Sequence, residues 1–265
     1  MNAEDLVRRQ LAEAKPDPKR LLEIGAGAGS FLQQLTASSD ITGLGIDPFA
    51  TPRQAENFEI RQLAAEEIDS LKQWFDVVFS IHSLHHFSRP LQCLRALPSV
   101  VGWGGRCMLV DWHAGAHTGV SEHYYTLQQA ADMIERSGLR ILTKARLGDI
   151  FSIEATLPFW KIAVAVNDDE KTICPKMFGM APKLAVYTYS PADGFRLLEV
   201  RPNPYEKTMQ HQKTFDVYDL VHDCQALLSA HIGKRGIARL QDMGVRLFFA
   251  KGNVKDNLAA CGFAL

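Results

Sequence analysis

The sequence has no CxxC pair, and its five cysteines (Cys93, Cys107, Cys174, Cys224 and Cys261) form an odd, scattered set. That excludes a disulfide framework and a closed zinc ribbon, and makes a reducing cytoplasm the expected compartment. There is no apolar run near the roughly 20 residues that a membrane-spanning helix needs, so no membrane partner is expected. The first residues mix acids with bases and hold no apolar signal-peptide stretch. Neither sign of charge is in excess: 29 Lys and Arg stand against 30 Asp and Glu, a formal net charge of −1. The balance argues against a nucleic-acid partner. No internal repeat or low-complexity tract is visible. What is there is 46% hydrophobic over 265 residues, enough for one large or two smaller globular domains.

The first half alternates strand and helix. Leu21–Ile24 is a short apolar run ending in Gly25-Ala26-Gly27-Ala28-Gly29, after which Phe31, Leu32 and Leu35 recur at helical spacing. Further strands are expected over 41–46, 76–81 and 106–110, the last following a turn at Gly102-Trp103-Gly104-Gly105. Thr126 with Gln129 reads as a capping box opening a helix that Gly138 closes, and 139–148 can supply another strand. This alternation predicts an α/β fold, a Rossmann-like doubly wound sheet with ligands outside the carboxyl ends of its strands. A dinucleotide fingerprint would need Gly or Ala at position 30, which is Ser, so a nicotinamide oxidoreductase is disfavoured.

Glu23 through Gly29 instead spell E-x-G-x-G-x-G, which resembles the first motif of the class I S-adenosylmethionine (SAM) methyltransferases. The resemblance covers about residues 17–140. Ala64-Ala65-Glu66-Glu67-Ile68 is similar to the family's adenine segment. Phe75–Ser80 followed by Leu84-His85-His86 is similar to its fourth-strand motif, and Val101–Arg106 to its turn before the fifth strand. It implies SAM as cofactor, held by Glu23, Gly25, Gly27, Gly29, Asp47, Ala65, Glu66 and Ser80. Asp47 would take the ribose hydroxyls in a charge-assisted pair. Ala64 stands where the family commonly has Asp, which leaves backbone N–H groups near Ala65 and Glu66 for the adenine. His82 and His113, at strand ends, are the candidate catalytic residues. His85 and His86 have a structural reading, and Asp111 is either a cap or part of the acceptor site.

More than a hundred residues follow where such a domain usually ends, and the division is expected at 1–155 and 156–265. Strands are expected over 161–166, 184–189, 195–200, 226–230 and 245–250, and helices after Asp216, around 237–243 and from Asn253. Residues 149–160 either join the modules or complete the first sheet. The run Lys161–Asp169, the loop Cys174–Pro182, and Asp223–Leu228 through His231-Ile232-Gly233 resemble the dinitrogenase iron–molybdenum cofactor-binding family, the NifX-like module also found at the end of NifB proteins. The resemblance runs from about 160 to 263 and implies a ribonuclease-H-like fold and an iron–sulfur or iron–molybdenum cluster as ligand. Many members have His before the Phe-Gly of this loop, where this chain has Met177. Cys174, His211 and His231 are then the candidate metal ligands.

Together these features point to a SAM-dependent methyltransferase fused to a cluster-binding module, associated with nitrogenase-type metallocluster assembly and its proteins. Two other readings are open. One is a cluster carrier with a non-catalytic SAM-binding domain. The other is a small-molecule methyltransferase whose second domain has lost its cluster. No motif identifies the methyl acceptor or the oligomeric state.

Overall fold

The computed structural model describes residues 2–14, 17–37, 40–208 and 213–263. The chain folds as two units, Met1–Val101 with Gly105–Pro158, and Gly102–Gly104 with Phe159–Leu265.

The first unit is built on eight strands: β1 (Arg20–Ile24), β2 (Thr42–Asp47), β3 (Arg53–Gln54), β4 (Phe58–Gln62), β5 (Phe75–Ile81), β6 (Val101–Trp112), β7 (Arg140–Leu147) and β8 (Ile150–Thr156). Their order is β3-β4-β2-β1-β5-β6-β8-β7. β4, β2, β1, β5 and β6 run parallel, and β8 is antiparallel to β6. The chain moves outward from β1 to one side through β2 and returns to its other side at β5. In such a sheet the cleft for a ligand opens at this reversal, outside the carboxyl ends of the strands. Among the described residues four α-helices accompany it: α1 (Ala3–Glu13), α2 (Ser30–Thr36), α3 (Pro90–Ala96) and α4 (Leu127–Arg136). Leu6, Val7 and Leu11 of α1 and Phe31 and Leu32 of α2 pack against Leu21, Val77 and Phe79, which fixes the strand order on one face. The Thr126–Gln129 capping box forms as expected: the Gln129 N–H donates to Thr126 Oγ1 at 3.1 Å, and the Thr126 N–H to Gln129 Oε1 at 2.8 Å.

Of the two readings of residues 149–160, the structure bears out the second: β8, buried at every position, sits between β6 and β7 and completes the first sheet. One expectation is corrected. Gly102–Gly105 is no free turn. It lies inside the twelve-residue β6, with the register against β5 shifting between Phe75 and Val77. Trp103 belongs to the second unit, where its indole N–H donates to the Cys261 carbonyl at 3.2 Å among Tyr189, Phe195, Phe248 and Phe263.

The second unit contains β9 (Trp160–Val166), β10 (Thr172–Ile173), β11 (Lys183–Ser190), β12 (Gly194–Pro202), β13 (Ala226–Ser229), β14 (Arg246–Phe249) and β15 (Gly252–Asn253). Its helices are α5 (Lys213–Asp219), α6 (Lys234–Asp242) and α7 (Val254–Leu258). β9 is central: antiparallel to β11, which pairs β12, and parallel to β13, which pairs β14. Residues 162–166 are fully buried, as a strand covered on both faces must be. Asp216 was expected as a helix cap; it lies inside the first turn of α5 instead. No described helix is long and apolar enough to cross a membrane.

Candidate functional site

The turn after β1 is shaped by close approach and by backbone conformation. Gly25 and Ala26 N–H both donate to the Ile46 carbonyl, at 2.8 and 3.0 Å, which ties the turn to the end of β2. Gly25 (φ +78°) has no room for a side chain, since a Cβ there would stand 2.3 Å from Ser83 Oγ. Gly27 (φ +51°) differs: a Cβ would meet nothing within 4 Å, so the loop is open to solvent at that point. Asp47 organises it from β2, accepting the Gly27 N–H on Oδ2 at 3.1 Å and the Phe49 N–H on Oδ1 at 2.8 Å. Gly29 (φ +72°) is the N-cap of α2.

Glu23, one residue from the end of β1, is buried and its Oε2 has no hydrogen-bond partner. Burial, then the nearby Glu4 charge, push its carboxyl up to about 8, against a hydrogen bond from the Leu32 backbone. Ser80 on β5 is likewise buried with an unpartnered Oγ. Ala65 and Glu66 begin a 3-10 helix over Ala65–Leu71, but the Glu66 side chain is already engaged, accepting the Arg89 N–H at 2.7 Å where α3 begins. The Glu66 backbone carbonyl accepts from Gln92 Nε2 at 3.5 Å, which leaves the backbone N–H to face an adenine.

These groups suit SAM. The chemistry asks for an acidic side chain at the ribose and an anionic or polar partner for the α-ammonium. It also asks for backbone that lets the ligand close in. Asp47, the Glu23 carboxyl with its unpartnered Oε2 and the open face of Gly27 are groups of that kind. Phe49, 93% exposed beside Asp47, adds an apolar ring that sequence reasoning had not singled out.

At the carboxyl ends of β5 and β6 lies a second cluster. His82 follows β5 in a left-handed conformation (φ +51°), its N–H donating to the Val110 carbonyl at 2.8 Å, a strained setting for a residue with a side chain. Its ring stacks on Trp112 with centroids 4.2 Å apart, and its Nδ1, buried and unpartnered, stands 3.9 Å from Asp111 Oδ1. Burial pushes His82 below its ordinary value against the pull of the Asp111 carboxylate, with the His85 ring adding to the lowering. That shift favours the neutral form of the ring. Asp111, 1% exposed, does more than cap. It accepts the His85 N–H at 3.1 Å and the Trp112 N–H at 2.7 Å, and its Oδ1 lies 2.8 Å from His85 Nδ1. His85 Nε2 in turn faces Glu122 Oε2 at 3.4 Å, and the Tyr124 hydroxyl donates to the same oxygen at 2.7 Å. His113 is held apart from this network: its Nδ1 lies 2.8 Å from the Ala114 carbonyl and its N–H donates to Asp149. His82 remains a candidate base; the geometry gives His113 a structural setting.

Two of the three expected metal ligands, Cys174 and His231, lie among the described residues. Cys174 is buried, its N–H donating to the Ala165 carbonyl at 2.9 Å. His231 is exposed and pairs through the backbone with Met177, whose neighbour Phe178 donates to the His231 carbonyl at 2.7 Å. His211 lies outside the described residues. Burial pushes the Cys224 thiol up, away from the thiolate a metal would take. Among the described residues, the one set of three His, Cys, Asp or Glu side chains spaced for a metal is His85, His86 and Glu122, in the first unit.

The strand order, the glycine loop and its acidic partners define a methyltransferase domain. The chain belongs to that family: residues 2–145 match the family described as "Methyltransferase domain". Residues 160–262 match a second, "Dinitrogenase iron-molybdenum cofactor", so the chain joins the two. A curated relative, the uncharacterized methyltransferase YcgJ of Bacillus subtilis (strain 168), is 30% identical over 105 residues. The match covers 36% of this chain and 41% of that protein. Among solved structures, a SAM-dependent methyltransferase from Aquifex aeolicus is 18% identical with a TM-score of 0.49, covering 58% of this chain and 88% of that one. The [4+2]-cyclase SpnF is 15% identical with a TM-score of 0.49, covering 59% and 82%.

Proposed function

We propose that the chain is a SAM-dependent methyltransferase whose second unit binds an iron–sulfur or iron–molybdenum cluster, and that it works in metallocluster assembly of the nitrogenase type. The observation that carries the first part is the glycine loop at the sheet's reversal. Its open face at Gly27 is held by Asp47, and Glu23, with Oε2 unpartnered, stands near the end of the strand that leads into it. When bound, SAM supplies an electrophilic methyl on a sulfonium. The protein's own residues then have three tasks. Asp47 holds the ribose through charge-assisted hydrogen bonds, Glu23 offers a carboxylate to the ammonium, and the loop backbone seats the methionine moiety. An acceptor entering beside β5 and β6 meets His82, a neutral ring locked by Trp112, which can take the acceptor's proton as its nucleophile attacks in line.

The second unit supports the cluster reading by its strand order and donor chemistry. The order β12-β11-β9-β13-β14, with β11 and β12 forming the antiparallel side, suits a ribonuclease-H-like sheet. Met177, 42% exposed, and His231 sit side by side in front of Gly233, the N-cap of α6, whose Cβ would lie 3.6 Å from the Met177 methyl. A thioether and an imidazole make a soft, open, exchangeable seat, fitting for a carrier.

The test is methyl-labelled SAM given to the full chain with extracts of nitrogen-fixing cells. Label transferred to an extract component, and lost with Asp47→Ala in parallel with SAM affinity, is expected. SAM binding as tight in Asp47→Ala as in the parent chain overturns the site. SAM bound but no label transferred overturns the enzyme.

A further inference from the structure

We propose that the first unit carries a binding site for a divalent transition-metal ion, formed by His85 Nε2, His86 and Glu122 and supported by Asp111. The site lies beyond the methyl-transfer reading and does not depend on it.

The argument begins at Asp111. A buried carboxylate only accepts, so the 2.8 Å contact from His85 Nδ1 to its Oδ1 places the ring proton on Nδ1. In the neutral ring the other nitrogen, Nε2, presents a lone pair toward Glu122 Oε2 at 3.4 Å, and two acceptors at that distance call for a cation between them, a proton or a metal ion. Two ligands bonded to zinc at about 2.0–2.1 Å and set at the tetrahedral angle are roughly 3.4 Å apart, so this spacing already matches a bound ion. The Tyr124 hydroxyl, donating to the same Glu122 oxygen at 2.7 Å and itself 2.8 Å from Thr118 Oγ1, holds the carboxylate in place.

His86 supplies the third donor. Its ring centroid lies 4.0 Å from that of His85, and the three ligand atoms fall within 4.8 Å of one another. Among the described residues the His86 side chain makes no hydrogen bond, and it is exposed, so the ring can turn the last distance without breaking a hydrogen bond. Two imidazoles and a carboxylate are a donor set for zinc or ferrous ions and leave at least one coordination position open. Because His86 and Glu122 are the exposed members, that position faces solvent. A carboxylate bonded to the far nitrogen of a ligating histidine is the usual outer support of such a site: it fixes the tautomer and makes the ligand more basic. Asp111 has that place here.

The test uses the full chain, stripped of metal and titrated with Co2+ under visible absorption, with Zn2+ as competitor. His86→Ala and Glu122→Gln are compared with the parent chain and with His222→Ala, an exposed histidine of the second unit. The expected result is one Co2+ equivalent lost, or weakened at least tenfold, in each of the first two variants and unchanged in the third. Metal bound by the second unit remains in all four and does not obscure the difference. Two results would overturn the proposal. The parent chain could take up no more Co2+ than His86→Ala, or both variants could retain parent affinity, which would mean that a proton alone occupies the His85–Glu122 contact. SAM affinity measured on the same samples separates a lost metal site from a lost fold, since the variants are expected to bind SAM as the parent chain does.

Discussion

Glu23 makes the folded protein sensitive to pH in a direction that can be worked out in advance. Its carboxyl is pushed from 4.5 up to about 8 by burial, while in the unfolded chain it titrates normally. Below pH 4.5 it is protonated in both states and contributes no pH dependence. From there to about pH 8 the unfolded chain ionises and the folded one does not, so stability falls as pH rises and levels off above 8. At about 1.4 kcal/mol per unit the whole window amounts to at most about 5 kcal/mol, of which some 3 are lost by pH 7. Glu23→Gln keeps the shape and cannot ionise. Urea unfolding of parent and variant from pH 4 to 9 should show their difference changing steadily in the variant's favour up to pH 8, whatever constant cost the amide brings. Parallel curves would refute the perturbed carboxyl and, with it, the reading of Glu23 Oε2 as an acceptor awaiting a partner. Saturating SAM should flatten the parent's curve, because an ammonium beside the carboxyl favours its ionised form.

Two further outcomes follow from the geometry. Gly25→Ala and Gly27→Ala both strain a positive φ, but only the first collides, with Ser83. Gly27→Ala should cost about 1 kcal/mol of stability while weakening SAM binding, and Gly25→Ala should cost distinctly more, as read by thermal unfolding alongside calorimetric titration. In the second unit, burial alone would raise Asp223. Its hydrogen bonds to Arg201 (2.6 Å) and Lys161 (2.6 Å) instead hold it well below the usual carboxylate range. The stabilisation is present above the unfolded value near 3.8 and is lost as pH falls below it. Asp223→Asn should therefore cost about 1 kcal/mol at neutral pH, given the pair's partial exposure, and progressively less in acid unfolding curves below pH 4.

What could be read from the sequence and what could not divide along the range of the interactions. The strand–glycine–helix opening, the Thr126–Gln129 box and the stop at Gly138 are local. Each is a few residues acting on each other, and the sequence carries them completely. The buried β8 was ambiguous because an apolar stretch between modules has the same composition whether it links them or enters a sheet, and only pairing with β6 and β7 decides. Trp103 misled for a related reason. Its glycine neighbours signal a turn, but its indole is committed to Tyr189, Phe195, Phe248 and Phe263, far along the chain. The His85–Asp111–Glu122 cluster shows the limit most clearly. His85 looked like a structural histidine and Asp111 like a cap because each was weighed against its own neighbours, and Glu122 gave no signal at all. Their chemistry comes from β5 and β6 ending side by side, with the segment after β6 bringing Glu122 to the His85 ring. A residue whose role is set by a contact 26 positions away, as His85 is by Asp111, can be assigned from the sequence only after the strand order is known. Here β2, β1, β5 and β6 stand next to one another in the sheet, so the same strands that bury the core determine which polar groups meet at its edge.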